Sequence, residues 1–254
     1  MTALAGARGA GYHRAMRVLL PLVAAAITAC SFVPSGTAGG DGGGGPGDGG
    51  AGDGGDAAAS CAVVASPVMS GGEVLGSTGG GTARPPLVCP TDELPVGASF
   101  DLTDGVINNH GGQRVVAGVH LRCARVAMIG GVATATPTGT LDHHGDTTPN
   151  CNAYDPATRS AEATCPAGTL LVGFDANRPD DVLFNHVALR CAAVAADGTV
   201  ATQTTAVDVA GTGGDTNRPQ TARCPAGTIV VGAIPQSGCG LDGLTLLCAA
   251  PLCR

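Results

Sequence analysis

The nine residues "CPAGTLLVG" (Cys165–Gly173) return almost unchanged as "CPAGTIVVG" (Cys224–Gly232). A third, weaker copy, "CPTDELPVG", runs from Cys89 to Gly97. In each copy a Cys-Pro pair precedes a short apolar run that ends at glycine. Such a run is typical of a buried β-strand, and the glycine indicates a bulge or tight bend where a Cβ would clash. The chain is therefore predicted to contain three copies of one β unit.

A second shared motif follows each copy of the first. It has the pattern apolar-x-Leu-x-Cys-Ala and occurs as "AGVHLRCARV" (Ala117–Val126), "NHVALRCAAV" (Asn185–Val194) and "DGLTLLCAAP" (Asp242–Pro251). A period of two places the apolar residues and the cysteine on one strand face, so that face is predicted to be the core. The opposite face carries His120 and Arg122, then Ala188 and Arg190, then Thr245 and Leu247.

From Cys61 onward, short β-branched runs alternate with clusters of Gly, Pro, Asn and Asp, and no apolar stripe has helical spacing. This alternation of short apolar runs and turn residues predicts an all-β sandwich, barrel or prism. Cys61 opens "CAVV", which matches the Cys-Ala pairs of the second motif. Counting between these pairs divides residues 61–254 into units at about 61–122, 123–190 and 191–247, with a closing tail at 248–254.

The N-terminus has the pattern of an export signal. Three arginines precede the apolar run "VLLPLVAAAITA" (Val18–Ala29), which is shorter than the roughly 20 residues of a membrane-spanning helix. The following "ITAC" resembles the lipobox of bacterial lipoproteins, which implies a signal peptide at 1–29 and acylation of Cys30. An ordinary signal peptide cut elsewhere is the alternative. Residues 30–60 are Gly- and Asp-rich and are predicted to be a flexible linker spanning about 30 Å.

The charge of the chain argues against nucleic acid as a partner. The net charge is −7, and three of the 13 basic residues lie in the first 30 positions, where there is no acid. The remainder is therefore more acidic still, and it would be repelled by phosphates. The predicted membrane partner is the lipid bilayer, through acylated Cys30.

The cysteines predict disulfides. The chain has 11 cysteines, and assigning Cys30 to lipid leaves an even number, as expected for disulfides in an exported protein. The repeat pairs Cys89 with Cys123, Cys165 with Cys191 and Cys224 with Cys248. A closed three-fold arrangement brings the module's ends together, which favours Cys61–Cys253, with Cys61–Cys239 as the alternative. If Cys61 pairs with Cys253, the two cysteines left over, Cys151 and Cys239, are predicted to pair with each other.

The middle copy, "CPAGTLLVGFDANRPDDVLFNHVALRC" (Cys165–Cys191), resembles the repeat of the vitelline membrane outer layer protein family. The shared features are a Gly-Phe strand, an Asp-Asp-x-x-x-Asn element and a strand ending in Cys. "VVGAIPQSGCGLDGLTL" (Val230–Leu246) is similar to a pattern in jacalin-type lectins. Both resemblances imply a β-prism of three sheets, and both families are linked to carbohydrate or extracellular-coat roles.

The middle unit also supplies the candidate ligand-binding residues, Asp180, Asp181, Asn185 and His186. The first copy departs from the Asp-Asp-x-x-x-Asn element and the third lacks the acidic pair. The alternative is a turn in which these side chains bond the local backbone. An arginine lies upstream of each first cysteine (Arg84, Arg159 and Arg218), and each is either a surface residue with local partners or a repeated ligand contact.

No metal, cofactor or catalytic residue is predicted. "DHHGD" (Asp142–Asp146) offers metal-ligand side chains, but neighbouring histidines on an extended chain point to opposite faces. Adjacent Asp180 and Asp181 diverge in the same way, and the chain has no GxSxG or HExxH motif, so an enzyme is not expected; a carbohydrate-active enzyme is the alternative.

The sequence thus predicts a lipid-anchored bacterial envelope protein, on the outer membrane or cell surface, that binds a glycan or another envelope macromolecule. A purely structural envelope protein without a small ligand is the alternative.

Overall fold

The structure, a computed structural model, describes residues 60–77, 81–103, 115–145, 158–178, 185–209, 211–212 and 218–254. These residues form strands and turns without a helix. In chain order the strands are β1 (Cys61–Ala65), β2 (Ser70–Gly76), β3 (Thr82–Ala83), β4 (Leu87–Val88), β5 (Leu94–Thr103), β6 (Val115–Ile129), β7 (Val132–His144), β8 (Thr158–Arg159), β9 (Ala163–Thr164), β10 (Thr169–Asn177), β11 (Asn185–Val194), β12 (Val200–Asp208), β13 (Pro219–Arg223), β14 (Ile229–Ser237), β15 (Leu241–Ala249) and β16 (Pro251–Cys253). Within the described ranges, no helix has the length and apolar character needed to cross a membrane.

Each predicted repeat forms an antiparallel pair of strands. The first motif supplies β5, β10 and β14, and the second motif supplies their partners β6, β11 and β15. The core face has the predicted period of two: Val119, Leu121 and Cys123 on β6 are at most 2% exposed, as are their counterparts on β11 and β15.

Outer strands widen each pair into a sheet. In the first sheet β7 pairs with β6, while β8 and β9 pair with β5. In the second sheet β12 pairs with β11 and β13 with β10. The third sheet takes its outer strands from the other end of the chain: β2 pairs with β15, and β3 and β4 pair with β14.

The three sheets confirm an all-β, three-repeat, β-prism-like module. The buried apolar residues form two clusters, and in the larger one, to which all three sheets contribute, Phe100 and Phe174 meet edge to face with ring centroids 6.3 Å apart. The sheets are the structural repeats, so the sequence boundaries after Arg122 and Arg190 fall inside β6 and β11.

The three repeat glycines mark a bulge. The strand pairing skips one residue directly before Gly97, Gly173 and Gly232. A Cβ on any of these glycines would collide with a backbone carbonyl of the outer strand, at Ala163, Ala222 and Leu87 respectively. The predicted bulge is therefore confirmed at all three positions, and its cause is the close approach of an outer strand.

Four of the predicted disulfides are present among the described residues. They are Cys89–Cys123, Cys165–Cys191, Cys224–Cys248 and Cys61–Cys253. Cys239 is also disulfide-bonded, so it is not the partner of Cys61. Its predicted partner Cys151, like Cys30, lies outside the described residues.

Candidate functional site

The solvent-facing side of each sheet differs between the repeats at one equivalent position. His120 on β6, Ala188 on β11 and Thr245 on β15 each lie three residues before the repeat cysteine. Across the sheet, His120 pairs with Asp142 and Ala188 pairs with Asp208. Asp142 and Asp208 therefore occupy equivalent positions. Asp142 is opposite the imidazole of His120, whereas Asp208 is opposite the methyl group of Ala188.

In the first sheet His120 is fully buried between two carboxylates. Its Nδ1 lies 2.6 Å from Asp142 Oδ1 and its Nε2 lies 2.8 Å from Asp101 Oδ1. His144 Nδ1 lies 2.5 Å from the other oxygen of Asp101, and the two imidazole centroids are 5.1 Å apart. Arg159 Nε lies 3.5 Å from Asp101 Oδ1. Four strands thus contribute one side chain or more to a single polar cluster.

The neighbouring histidines diverge as the sequence predicts. His144 turns to Asp101, whereas His143 Nε2 lies 3.0 Å from Ser237 Oγ of the third sheet. Within the described part of the chain, Asp101, His120 and His144 form a group whose possible metal-ligand atoms all lie within 4.8 Å of one another. The run "DHHGD" alone does not reveal this group, because its members come from the three strands β5, β6 and β7.

The second sheet carries a cleft where the first carries the imidazole. The cleft has a volume of about 260 Å³ and includes Ala188 in its lining. Its polar walls are Asp175, Asn177, His186, Arg190, Asp208, Gln220 and Thr221. Because Ala188 has only a methyl group, the space that His120 fills in the first sheet stays open between the flanking strands.

Part of the cleft wall is fixed by internal bonds. Arg190 forms an ion pair with Asp175, whose other oxygen accepts a hydrogen bond of 2.8 Å from Thr221 Oγ1. The Gln220 side chain bonds the backbone of β2, accepting from Gly76 N at 2.9 Å. These side chains give the cleft a pre-formed shape.

Other groups in the cleft have hydrogen-bonding capacity left over. Arg190 Nε is buried without a hydrogen-bond partner among the described residues. Asp208 is exposed, and neither its carboxylate nor the half-buried imidazole of His186 has a hydrogen-bond partner in that part of the chain. Because Arg190 Nε has no contact with solvent, the free groups that a ligand can reach in the cleft are the side chains of Asp208 and His186.

The predicted ligand-binding residues lie in different places. His186 lines the cleft, and its φ of 45° is in the left-handed region. Asn185, next to it, is fully buried. Asp180 and Asp181 lie outside the described residues. Sequence reasoning did not single out Asp175, Arg190 or Asp208, although the alternation of the second motif already placed Arg190 on the outward face.

The three upstream arginines have local roles. Arg84 donates to Ser237 Oγ at 2.9 Å and to the Ser237 carbonyl at 3.0 Å. Arg159 lies beside Asp101, as described above. Arg218 adopts a φ of 57°, and its carbonyl accepts a hydrogen bond of 3.2 Å from Arg178 N.

Two further depressions, of about 230 and 320 Å³, lie beside the bulge residues Val172 and Val231. Neither brings a carboxylate, an imidazole and a guanidinium together, as the cleft on the second sheet does.

No protein-family model and no curated protein matches the chain. Among solved structures, the chain is similar to the Calsepa lectin in complex with a bisected glycan, at 13% identity and a TM-score of 0.40, covering 72% of this chain and 96% of the lectin. Wild-type Malaysian banana lectin has 11% identity and a TM-score of 0.37, with 72% and 98% coverage. A mannose-specific jacalin-related lectin from Morus nigra in complex with mannose has 14% identity and a TM-score of 0.37, with 72% and 94% coverage.

At TM-scores of 0.40 or below, these matches carry no argument for this chain. The β-prism-like architecture rests on its own three sheets, and the resemblance to vitelline membrane outer layer proteins stays a prediction.

Proposed function

We propose that this chain is an exported, lipid-anchored envelope protein whose β module binds a glycan or another hydroxyl-rich envelope macromolecule. The observation that carries the proposal is the cleft on the second sheet, where Asp208 and His186, whose side chains have no hydrogen-bond partner among the described residues, line one concave space with Arg190. The lipid anchor is supported by the sequence around Cys30 alone, and loss of fatty-acid labelling in a Cys30→Ser variant tests it.

The chemistry of the cleft suits hydroxyl groups. A carboxylate such as Asp208 accepts hydrogen bonds, and a guanidinium such as Arg190 donates them. A sugar hydroxyl does both, so adjacent hydroxyls satisfy an acceptor and a donor in turn. Arg190 is already paired with Asp175, which leaves the carboxylate of Asp208 as the unpaired charge and disfavours an anionic ligand.

The size of the cleft favours a small part of a larger ligand. At about 260 Å³ it lies just below the range of roughly 300–1,000 Å³ that is typical of sites enclosing drug-sized molecules. One sugar residue of a longer chain could enter it, while the rest of the glycan stays in solvent. The expected affinity is therefore modest.

A glycan array probed with the purified full-length chain, followed by calorimetry on the hits, tests the proposal. Ala188→His should abolish binding, because it places in the second sheet the imidazole that already fills the first. Asp208→Asn should weaken binding at least tenfold, since an amide replaces the carboxylate while the shape of the exposed side chain is kept.

Asp197→Asn is the matched control, with the same charge change on the turn between β11 and β12. There the backbone and side-chain hydrogen bonds from Thr199 lower the pKa of Asp197, and no cleft residue is touched. Binding that survives Ala188→His in a folded protein would reject the cleft as the site.

The alternative is a purely structural envelope protein, which the four disulfides of the described module support. An array without a single binder, combined with one stable protein partner in crosslinking of intact cells, would establish this alternative instead.

A further inference from the structure

The imidazole–carboxylate cluster of the first sheet shares no residue with the cleft of the second sheet. Its members are Asp101 on β5, His120 on β6, and Asp142 and His144 on β7. Asp101 and His120 are at most 1% exposed, whereas His144 is 48% exposed. The cluster is therefore buried at Asp101 and His120 and open to solvent at His144.

Asp142 determines which nitrogen of His120 is available to a ligand. Because Nδ1 of His120 lies 2.6 Å from Asp142 Oδ1, the proton of the neutral imidazole belongs on Nδ1 and is donated to that carboxylate. The lone pair then lies on Nε2. A carboxylate that orients an imidazole in this way is the usual outer partner of a metal-binding histidine.

Nε2 of His120 has no hydrogen bond. It lies 2.8 Å from Asp101 Oδ1, which is close enough for an ion pair, but the direction of the ring nitrogen does not meet the requirements of a hydrogen bond. A purely structural imidazolium bridging two carboxylates would donate from both nitrogens. The observed geometry instead leaves a fully buried nitrogen close to Asp101 Oδ1 but without a hydrogen bond among the described residues.

We propose that Asp101, His120 and His144 form a binding site for a divalent transition-metal ion of the Zn²⁺ type. Two imidazoles and one carboxylate are ligands that Zn²⁺ accepts, with a fourth position for water or another ligand. Ca²⁺ would be disfavoured, because it takes oxygen ligands. Ligands about 2 Å from a tetrahedral Zn²⁺ lie about 3.3 Å from one another, so the two imidazole nitrogens, now 2.8 and 2.5 Å from the oxygens of Asp101, have to move away from that carboxylate when the ion enters. The side chain with room to adjust is His144, since it is half-exposed.

Arg159 is the competing cation. Its Nε lies 3.5 Å from Asp101 Oδ1 and its side chain is 49% exposed, so it can withdraw into solvent when a metal ion binds. Removal of this charge should strengthen metal binding, whereas a purely structural role for the cluster predicts no such gain.

Calorimetric titration of the chelator-treated full-length chain with ZnCl₂ should give one site per chain, with no binding of CaCl₂ under the same conditions. His144→Gln should abolish the Zn²⁺ signal, and because His144 is half-exposed the variant should remain folded. Asp142→Asn should weaken binding by about 10–100-fold through loss of the outer carboxylate. Arg159→Gln should tighten it.

The matched control is His143→Gln, which changes the same residue type one position earlier, on the opposite face of β7. It should leave Zn²⁺ binding unchanged. Absence of Zn²⁺ binding by the folded wild-type chain would overturn the proposal, and so would equal binding by the His144→Gln and His143→Gln variants. Co²⁺ as a second probe reports the ligands directly, because its visible absorption should be lost with His144→Gln.

Discussion

Asp92 occupies a turn position that glycine occupies in the other two repeats. The turns Pro90–Glu93, Pro166–Thr169 and Pro225–Thr228 each close with a backbone hydrogen bond of 3.0 or 3.1 Å. Their third residues, Asp92, Gly168 and Gly227, have φ values of 69°, 81° and 79°. A left-handed φ is free of steric cost only for glycine, and aspartate tolerates it less well.

Asp92→Gly should therefore raise the free energy of unfolding by about 0.5–1 kcal/mol, because it removes this local strain. Asp92→Asn should be nearly neutral, and Asp92→Ala should be destabilising. Urea unfolding under non-reducing conditions measures the series. An alanine variant as stable as the glycine variant would show that the backbone conformation at residue 92 has no energetic consequence.

Single residues differ in how well the sequence predicts their roles. Gly173 repeats at a fixed place after an apolar run, so its bulge could be predicted from the pattern alone. The role of His120 could not be predicted, because its partners Asp101 and Asp142 lie on the neighbouring strands β5 and β7. The available signal was the contrast within the repeat, where His120 replaces Ala188 and Thr245 on the outward face.

At the scale of elements, each bulge joins a hairpin to its outer strand. The bulge lets the backbone of the outer strand approach the glycine; Cys165 N, for example, bonds the Val96 carbonyl at 2.8 Å and Cys224 N bonds the Val172 carbonyl at 2.9 Å. The residue that the pairing skips thus accepts a hydrogen bond from the cysteine that follows the outer strand.

Gly173→Ala should destabilise the module by about 1–3 kcal/mol, because the new methyl group would collide with the Ala222 carbonyl of β13 and force the strands apart. Gly139→Ala, on β7, is the control, since no atom lies within 4 Å of a Cβ built there. The urea midpoints of the two variants measure the difference. Equal midpoints would mean that β13 can shift away without cost.

The hairpins were easier to predict than the strands that flank them. The repeated apolar-x-Leu-x-Cys pattern identifies β6, β11 and β15 because the core face is the same in all three. The outer strands β7 and β12 are mostly exposed and polar, so no apolar pattern marks them. The cleft lies between β10, β11, β12 and β13, and it could not be located without knowing that these strands are neighbours.

At the scale of the whole module, the ends of the described chain are held together. β1 pairs with β16, and Ala62 and Arg254 exchange two backbone hydrogen bonds of 2.8 and 2.9 Å. The Cys61–Cys253 disulfide joins the same two strands across a sequence separation of 192 residues. A closed three-fold arrangement of repeats brings the two ends of the module together, and it therefore predicts the Cys61–Cys253 disulfide that the structure contains.

Removing this disulfide in a Cys61→Ala/Cys253→Ala variant should lower the free energy of unfolding by up to about 5 kcal/mol on the chain-entropy estimate, an upper value because the inner disulfides already shorten the loop. Amide hydrogen exchange should rise in β1 and β16 and stay slow in β10 and β11. In the matched Cys165→Ala/Cys191→Ala variant, faster exchange should appear in β10 and β11. The same exchange pattern in both variants would refute the idea that each disulfide protects its own strands.

The third sheet combines β2, β3 and β4 with the much later strands β14 and β15, and this limits when folding can finish. Gly76 pairs with Gly243 and Val88 pairs with Gly232, so β2 and β4 can join their sheet only after β14 and β15 have been synthesised. Contacts between residues so distant in sequence slow folding. During synthesis the second sheet can therefore form as soon as β13 has been made, whereas the third sheet needs β14 and β15 to pair with β2–β4, and the first sheet needs β16 to pair with β1.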